Sequence, residues 1–227
     1  MSIFNSLNNI LPFLGAVLGM GIGYKIRDKS SNGLKLILSF SGAFLLGVTI
    51  FHLMPEVFFK VNNKPGLWIV SGIILQILLE YLSQGTEHGH SHIKSNEYLP
   101  WVLFLSLCLH AFIEGLPLGH ESSLVWGIFI HKIPIGMVLF YMIWDTKSSK
   151  ILKITALFIF AIMSPFGSIT LEYNDALQNY QTQITAIVIG MLLHIATTIL
   201  FESNQGHAFN IRKLFSILLA FLISYFI

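Results

Sequence analysis

The chain has 227 residues, of which 54% are hydrophobic and 11% are charged, and its formal net charge is +2. Soluble domains usually contain about 25% charged residues, so the composition excludes an ordinary water-soluble protein and indicates an integral membrane protein. The small net charge argues against nucleic acid as a partner. Cys108 is the single cysteine, which excludes an intrachain disulfide and a cysteine-based zinc motif.

Apolar segments long enough to cross a bilayer recur along the whole chain. A hydrocarbon core about 30 Å thick requires about 20 apolar residues per helix. On that criterion we predict an all-α bundle of eight transmembrane helices in one transporter domain, residues 1–227. The predicted spans are residues 5–25, 34–58, 66–84, 99–119, 123–144, 151–170, 182–202 and 211–227.

The basic residues predict the orientation of these spans, because lysine and arginine remain on the cytoplasmic side. The loops after spans 1, 3, 5 and 7 share one side and hold most of the basic residues, whereas the other side holds only Lys60 and Lys64. We therefore predict that both termini are external. The basic residues on the cytoplasmic side are Lys25, Arg27, Lys29, Lys35, Lys94, Lys147, Lys150, Lys153, Arg212 and Lys213.

Ionisable side chains interrupt the apolar spans 4 and 5, at His110, Glu114, His131 and Lys132. A rise of about 1.5 Å per residue places His110 and His131 at similar depth, near the membrane midplane. Glu114 follows His110 by four residues and shares its helix face. Two histidines and a carboxylate suit a divalent transition metal, and a bound cation offsets the cost of burying the carboxylate. We therefore predict a metal site formed by His110, Glu114 and His131.

The alternative interpretation of the same residues is structural. Glu114 would pair with Lys132, and the histidines would be hydrogen-bonded core residues. Intramembrane ionisable residues usually mark ion or substrate pathways, which favours the metal site. Pro117 and Pro134 lie in the same two spans and each removes a backbone hydrogen bond. Helices at transporter sites are interrupted in this way, but ordinary proline kinks lose the same backbone hydrogen bond. The prolines therefore do not separate the two interpretations.

In order and spacing, the motifs resemble those of the ZIP (Zrt-/Irt-like) family of divalent metal-ion transporters. "HAFIEGLPLG" and "HKIPIG" are similar to the signatures of the family's fourth and fifth helices, and "FHLMPE" is similar to the end of its second helix. "EHGHSH" lies in the loop between spans 3 and 4, and "GMLLHIATTILFES" lies in span 7. The resemblance implies eight helices with external termini and uptake of divalent metal, usually zinc, through a site between helices 4 and 5. It also implies movement of a transport bundle against a scaffold.

The resemblance further implies a transporter rather than an enzyme, with no cofactor beyond the transported metal. We expect Zn²⁺, leave Fe²⁺, Mn²⁺ and Cd²⁺ open, and expect the plasma (inner) membrane as the host; a homodimer is left open. The competing hypothesis is a membrane-embedded zinc hydrolase that activates a water molecule. The HExxH motif of zinc proteases is absent from the sequence.

The sequence departs from the family at positions that often build a second metal site. Ala111, Lys132 and Ile135 stand there, although other members also carry lysine at the position of Lys132. We therefore expect a single-metal site. The hypothesis is that the Lys132 ammonium takes the place of the second metal, balances Glu114 when the site is empty and modulates metal binding.

Further polar residues are candidates for a metal pathway. His52 and Glu56 lie at the predicted external end of span 2, where the alternative is a helix-end cap and a surface acid. Glu80, His194 and Glu202 lie in the predicted cytoplasmic halves of spans 3 and 7, where the alternative is interfacial snorkelling or solvated helix ends.

A histidine-rich stretch lies in the predicted cytoplasmic loop at about residues 85–98. His88, His90 and His92 alternate with small residues, and three histidines at such positions can hold a metal in an extended loop. We predict that this loop regulates transport or accepts the exiting ion, and that it is not the transport site. The alternative is a flexible polar linker.

Overall fold

The computed structural model describes residues 3–26, 32–60, 64–83, 98–202 and 211–227, and the regular elements in these ranges are helices. A π-helical turn, Thr49–Leu53, joins α2 to α3, and a 3-10 turn, Leu116–Gly119, follows α5. The α-helices are α1 Ile3–Ile26, α2 Asn32–Val48, α3 Met54–Lys60, α4 Pro65–Ser83, α5 Trp101–Gly115, α6 Ser122–Trp144, α7 Lys150–Glu172, α8 Asp175–Gln178, α9 Gln181–Glu202 and α10 Ile211–Tyr225.

The all-α membrane class predicted from the sequence is confirmed. In the part of the chain that the structure describes, 7 helical stretches are long and apolar enough to cross a membrane, and they match the first seven predicted spans in order. The last predicted span corresponds to α10, which has 15 residues and is shorter than a typical spanning helix of about 20 residues. It packs against α2. The external placement of both termini stays a prediction.

Prolines account for the two irregular turns. Pro55 lies two residues after the end of the π-helical turn, and between them the backbone N–H of Met54 bonds to the carbonyl of Thr49, five residues earlier. Pro117 lies in the 3-10 turn that ends α5, whereas α6 continues through Pro134. The interruption that Pro117 causes in span 4 therefore comes immediately after the α-helical segment that carries His110 and Glu114.

The two faces of α5 differ in chemistry in the way that a lipid-facing helix requires. Val102, Leu105 and Leu109 are apolar and exposed, whereas His110 and Glu114 are buried. Lipid tails are as apolar as leucine, so burying leucine against another helix gains little hydrophobic free energy in a membrane. The helix therefore turns its apolar face outward and its polar residues towards the protein interior.

The helices form two bundles. Bundle 1 comprises α1, α5, α6 and α7, and bundle 2 comprises α2, α3, α4, α9 and α10. Within bundle 1 the most extensive contact is between α1 and α6, and within bundle 2 it is between α4 and α9. The two bundles meet mainly where α2 lies against α6 and where α4 lies against α5.

Glycine permits the close approach of the paired helices. A Cβ atom on Gly19 in α1 would overlap the backbone carbonyl of Ile133 in α6, and one on Gly72 in α4 would overlap the carbonyl of Ile187 in α9. Helices in membranes associate through such small residues, because van der Waals contact replaces the hydrophobic effect there. Each bundle is thus held internally by backbone contacts that a larger side chain would separate.

We predict that Gly19→Ala destabilises the protein, because α1 and α6 must move apart to admit the new methyl group. Overpacking of this kind costs about 1–3 kcal/mol. Gly21→Ala is the matched control on the same helix, since a Cβ there meets no atom within 4 Å. Thermal unfolding in one detergent measures both. A Gly19→Ala midpoint equal to that of Gly21→Ala would show that the contact between α1 and α6 does not depend on this glycine.

Candidate metal centre

The ionisable residues of α5 and α6 come together inside the protein. His110 and Glu114 lie one turn apart on α5, and His131 and Lys132 lie on α6. One ligand atom from each of His110, Glu114 and His131 lies within 4.8 Å of the other two. All four residues are 4% exposed or less. Among the described residues, these three form the one group of metal-ligating side chains close enough to hold an ion.

The two carboxylate oxygens of Glu114 have different surroundings. Lys132 Nζ lies 2.5 Å from Oε1, and Ser164 Oγ in α7 donates a hydrogen bond to the same oxygen at 3.2 Å. The other oxygen, Oε2, lies 3.2 Å from His110 Nε2. The ammonium therefore balances one side of the carboxylate, and the other side faces an imidazole ring.

His110 is oriented from behind by Gln76 in α4, whose Oε1 lies 3.0 Å from His110 Nδ1. An amide oxygen only accepts hydrogen bonds, so Nδ1 carries the ring proton and donates. A ring protonated on both nitrogens would donate a hydrogen bond to Glu114 Oε2, whereas a ring protonated only on Nδ1 has its lone pair on Nε2, which faces that oxygen. Two electron-rich atoms in this position repel each other, and a cation between them would turn that repulsion into two attractions. An imidazole nitrogen beside a carboxylate oxygen is a donor set that Zn²⁺ accepts.

His131 is contacted from bundle 2 in the same manner. Its Nδ1 lies 3.4 Å from Ser41 Oγ in α2, and a hydroxyl oxygen can accept a hydrogen bond from the ring. This contact is longer than that between Gln76 and His110, and we therefore expect it to orient the His131 ring more weakly. When the ring proton is on Nδ1, Nε2 of His131 is the nitrogen that can bind a metal.

Lys132 lies between a carboxylate and an aromatic ring. Its ammonium contacts Glu114 and lies 4.5 Å from the centroid of the Phe160 ring in α7, a cation–π distance. The Lys132–Glu114 pair belongs to both interpretations of the sequence, so by itself it favours neither. The structural interpretation requires a hydrogen-bonded carboxylate, and Oε2 of Glu114 has such a bond only if His110 is also protonated on Nε2, 3.2 Å away. With a neutral His110 ring that donates from Nδ1, this oxygen has no donor and favours the metal interpretation.

The candidate residues of the external pathway do not belong to the cluster. His52 lies in the π-helical turn, and its Nε2 donates a hydrogen bond to the backbone carbonyl of Ser224 at 2.8 Å. It therefore ties the end of α10 to the turn. Glu56 follows one helical turn later in α3 and is half-buried.

The candidate residues of the cytoplasmic pathway are only partly described. Glu80 in α4 contacts His194 in α9, carboxylate to Nε2, and both side chains are about one-fifth exposed, at 22% and 21%. Glu202 is the last residue of α9, and its side chain lies outside the described part. His88, His90 and His92 also lie outside the described residues.

Four residues that contact the cluster were not predicted from the sequence to do so: Ser41, Gln76, Phe160 and Ser164. Ser164 resembles a helix-packing serine in the sequence, whereas the structure places its hydroxyl on Glu114. Gln76 had a signal, since it is an amide within the apolar run "IILQILL". Ser41 and Phe160 had none, because their role depends on which helices become neighbours.

Comparison with known proteins gives two matches. The family model described as "ZIP Zinc transporter" matches residues 80–227, which is more than half of the chain. The protein named "Protein zntD" from Dictyostelium discoideum is 34% identical over 105 residues. That match covers 38% of this chain but 15% of the relative, so the chain spans a small part of that protein's length. The match to the family model includes all three candidate ligands and Lys132.

We predict that Lys132→Met lowers the stability of the metal-free protein. It leaves the Glu114 carboxylate buried without its cation, and breaking a buried ion pair costs about 3–5 kcal/mol. Adding Glu114→Gln should recover most of the loss, because replacing both charges is about neutral. Thermal unfolding in the presence of a chelator measures both variants. Equal stability of Lys132→Met and the unsubstituted protein would mean that the ion pair does not balance Glu114.

Proposed function

The chain belongs to the ZIP zinc transporter family, and on that premise we propose that it carries a divalent metal ion, zinc in the first place, across the membrane. The observation that carries the proposal is the buried cluster of His110, Glu114 and His131. The family consists of transporters rather than enzymes, and this removes the support for the hydrolase hypothesis.

The cluster has the chemistry of a site for one ion. Two imidazole nitrogens and one carboxylate oxygen supply three of the four ligands that Zn²⁺ usually takes, and a water molecule can supply the fourth. Glu114 Oε2 and the two rings bind the ion, while Lys132 remains near Oε1. Two cations at one carboxylate repel each other, so Lys132 weakens metal binding and excludes a second ion. A transport site must not bind its ion too tightly, because the ion must also be released.

The direction that we propose is from the external side to the cytoplasm, through a site near the midplane. The asymmetry of the basic residues supports the orientation. The ligands lie on bundle 1 at its contact with bundle 2, which suits exposure to one side and then the other by movement of bundle 1 against bundle 2. The proposed entrance residues are His52 and Glu56, and the proposed exit residues are Glu80, His194 and Glu202.

We predict that His110→Ala, Glu114→Ala and His131→Ala each abolish zinc uptake into vesicles of defined orientation, because each removes one of the three ligands of the cluster and the described residues offer no replacement. His120→Ala and Asp175→Ala are matched controls, since both residues are exposed, and they should transport normally. Competition with Fe²⁺, Mn²⁺ and Cd²⁺ in the same assay ranks the metals. Normal uptake by correctly inserted Glu114→Ala would overturn the proposal.

The histidine-rich loop is proposed to regulate transport or to receive the exiting ion on the cytoplasmic side. Replacing His88, His90 and His92 together with alanine should change the uptake rate or its dependence on cytoplasmic metal, while transport continues. Initial rates at several internal zinc concentrations measure the effect. Complete loss of uptake in a well-expressed triple variant would place the loop in the transport site itself.

A further inference from the structure

The hydrogen bonds around the cluster divide between the two bundles in a regular way. The carboxylate of Glu114 is contacted by Lys132 and Ser164, which both belong to bundle 1. The outer nitrogens of the two histidines instead contact bundle 2, through Gln76 and Ser41. Charge balance is therefore supplied within bundle 1, and contacts to the imidazole rings cross the interface between the bundles.

When a histidine binds a metal through one ring nitrogen, the other, outer nitrogen makes a hydrogen bond to a neighbouring group. The hydrogen bond that it makes fixes which ring nitrogen is protonated, aligns the ring and makes the other nitrogen a better ligand. At 3.0 Å from His110 Nδ1 and with no exposed surface, the Gln76 oxygen has the position for this task. The contact of Ser41 with His131 at 3.4 Å is a weaker version of it.

A second hydrogen bond fixes the register of α4 against α5 beside this contact. Ser106, one turn before His110, donates from its hydroxyl to the backbone carbonyl of Leu79 at 2.6 Å. Leu79 lies three residues after Gln76 on α4. Two polar contacts on one face of the helix pair therefore hold Gln76 opposite His110, and both are buried.

We propose that Gln76 is a positioning residue for metal binding, which holds His110 from the opposite bundle as the tautomer that ligates through Nε2, and that Ser41 has a lesser role of the same kind at His131. The inference deepens the proposed function and rests on it. It also makes metal affinity a property of the interface, because a displacement of α5 against α4 breaks the bond that prepares the His110 ring.

Two substitutions at one position separate hydrogen bonding from packing. Gln76→Met keeps the side-chain length and removes the acceptor, whereas Gln76→Glu keeps an acceptor oxygen. Each is made with His88, His90 and His92 replaced by alanine, so that the loop contributes no binding. Purified protein is titrated with Co²⁺, whose visible absorption reports its ligands, and zinc competition then gives the zinc affinity.

We predict that Gln76→Met weakens metal binding by about 10–100-fold, the usual effect of losing the outer partner of a ligating histidine, and changes the Co²⁺ spectrum. Gln76→Glu should bind within a few-fold of the parent, because carboxylate–histidine–metal arrangements are common. Ser41→Ala should lose less than about tenfold, in keeping with its longer contact. Ser71→Ala is the control on α4, since its exposed hydroxyl bonds only within its own helix.

Folded Gln76→Met with the affinity and spectrum of the parent would overturn the inference. So would equal losses in Gln76→Met and Gln76→Glu, since shape rather than the acceptor would then matter. Failure of the proposed function looks different: the parent would bind Co²⁺ no better than its Glu114→Ala variant, whatever stands at position 76.

Discussion

A carboxylate inside a helix bundle must be balanced by a cation, and the arrangement of this protein depends on that requirement at Glu114. Its side chain has no exposed surface, one oxygen is paired with Lys132, and the other lies 3.2 Å from His110 Nε2. In a membrane interior such a group is costly unless it is paired or functional. The resident ammonium meets the requirement for one oxygen, and a metal ion bound by two histidines would meet it for the other.

The two bundles contribute different groups around this carboxylate. Bundle 1 carries the three candidate ligands and Lys132, and its helices approach closely at positions such as Gly19. Bundle 2 supplies the side chains behind the imidazole rings, of which Gln76 makes the shorter contact. A site assembled from two bodies in this way couples the state of the metal to the relative position of the bodies, which is what alternating access requires.

Much of the fold could be predicted because the bilayer sets the length of an apolar helix, and the pairing of His110 with Glu114 followed from helical periodicity. The π-helical turn before Pro55 was not predicted, because it depends on local geometry that hydropathy does not contain. The role of Ser164 was missed, since a hydroxyl within a span fits helix packing equally well. Gln76 stands out as an amide within an apolar run, but its partner was missed because nothing in one sequence states which span lies opposite α5.

The most direct test of the central claim is a structure of the zinc-bound protein with anomalous scattering recorded at the zinc edge. We expect one ion in the buried cluster, about 2.0–2.2 Å from a nitrogen of His110, a nitrogen of His131 and an oxygen of Glu114, with Lys132 beside the same carboxylate. Two ions bridged by Glu114, or no ion within the cluster, would contradict it.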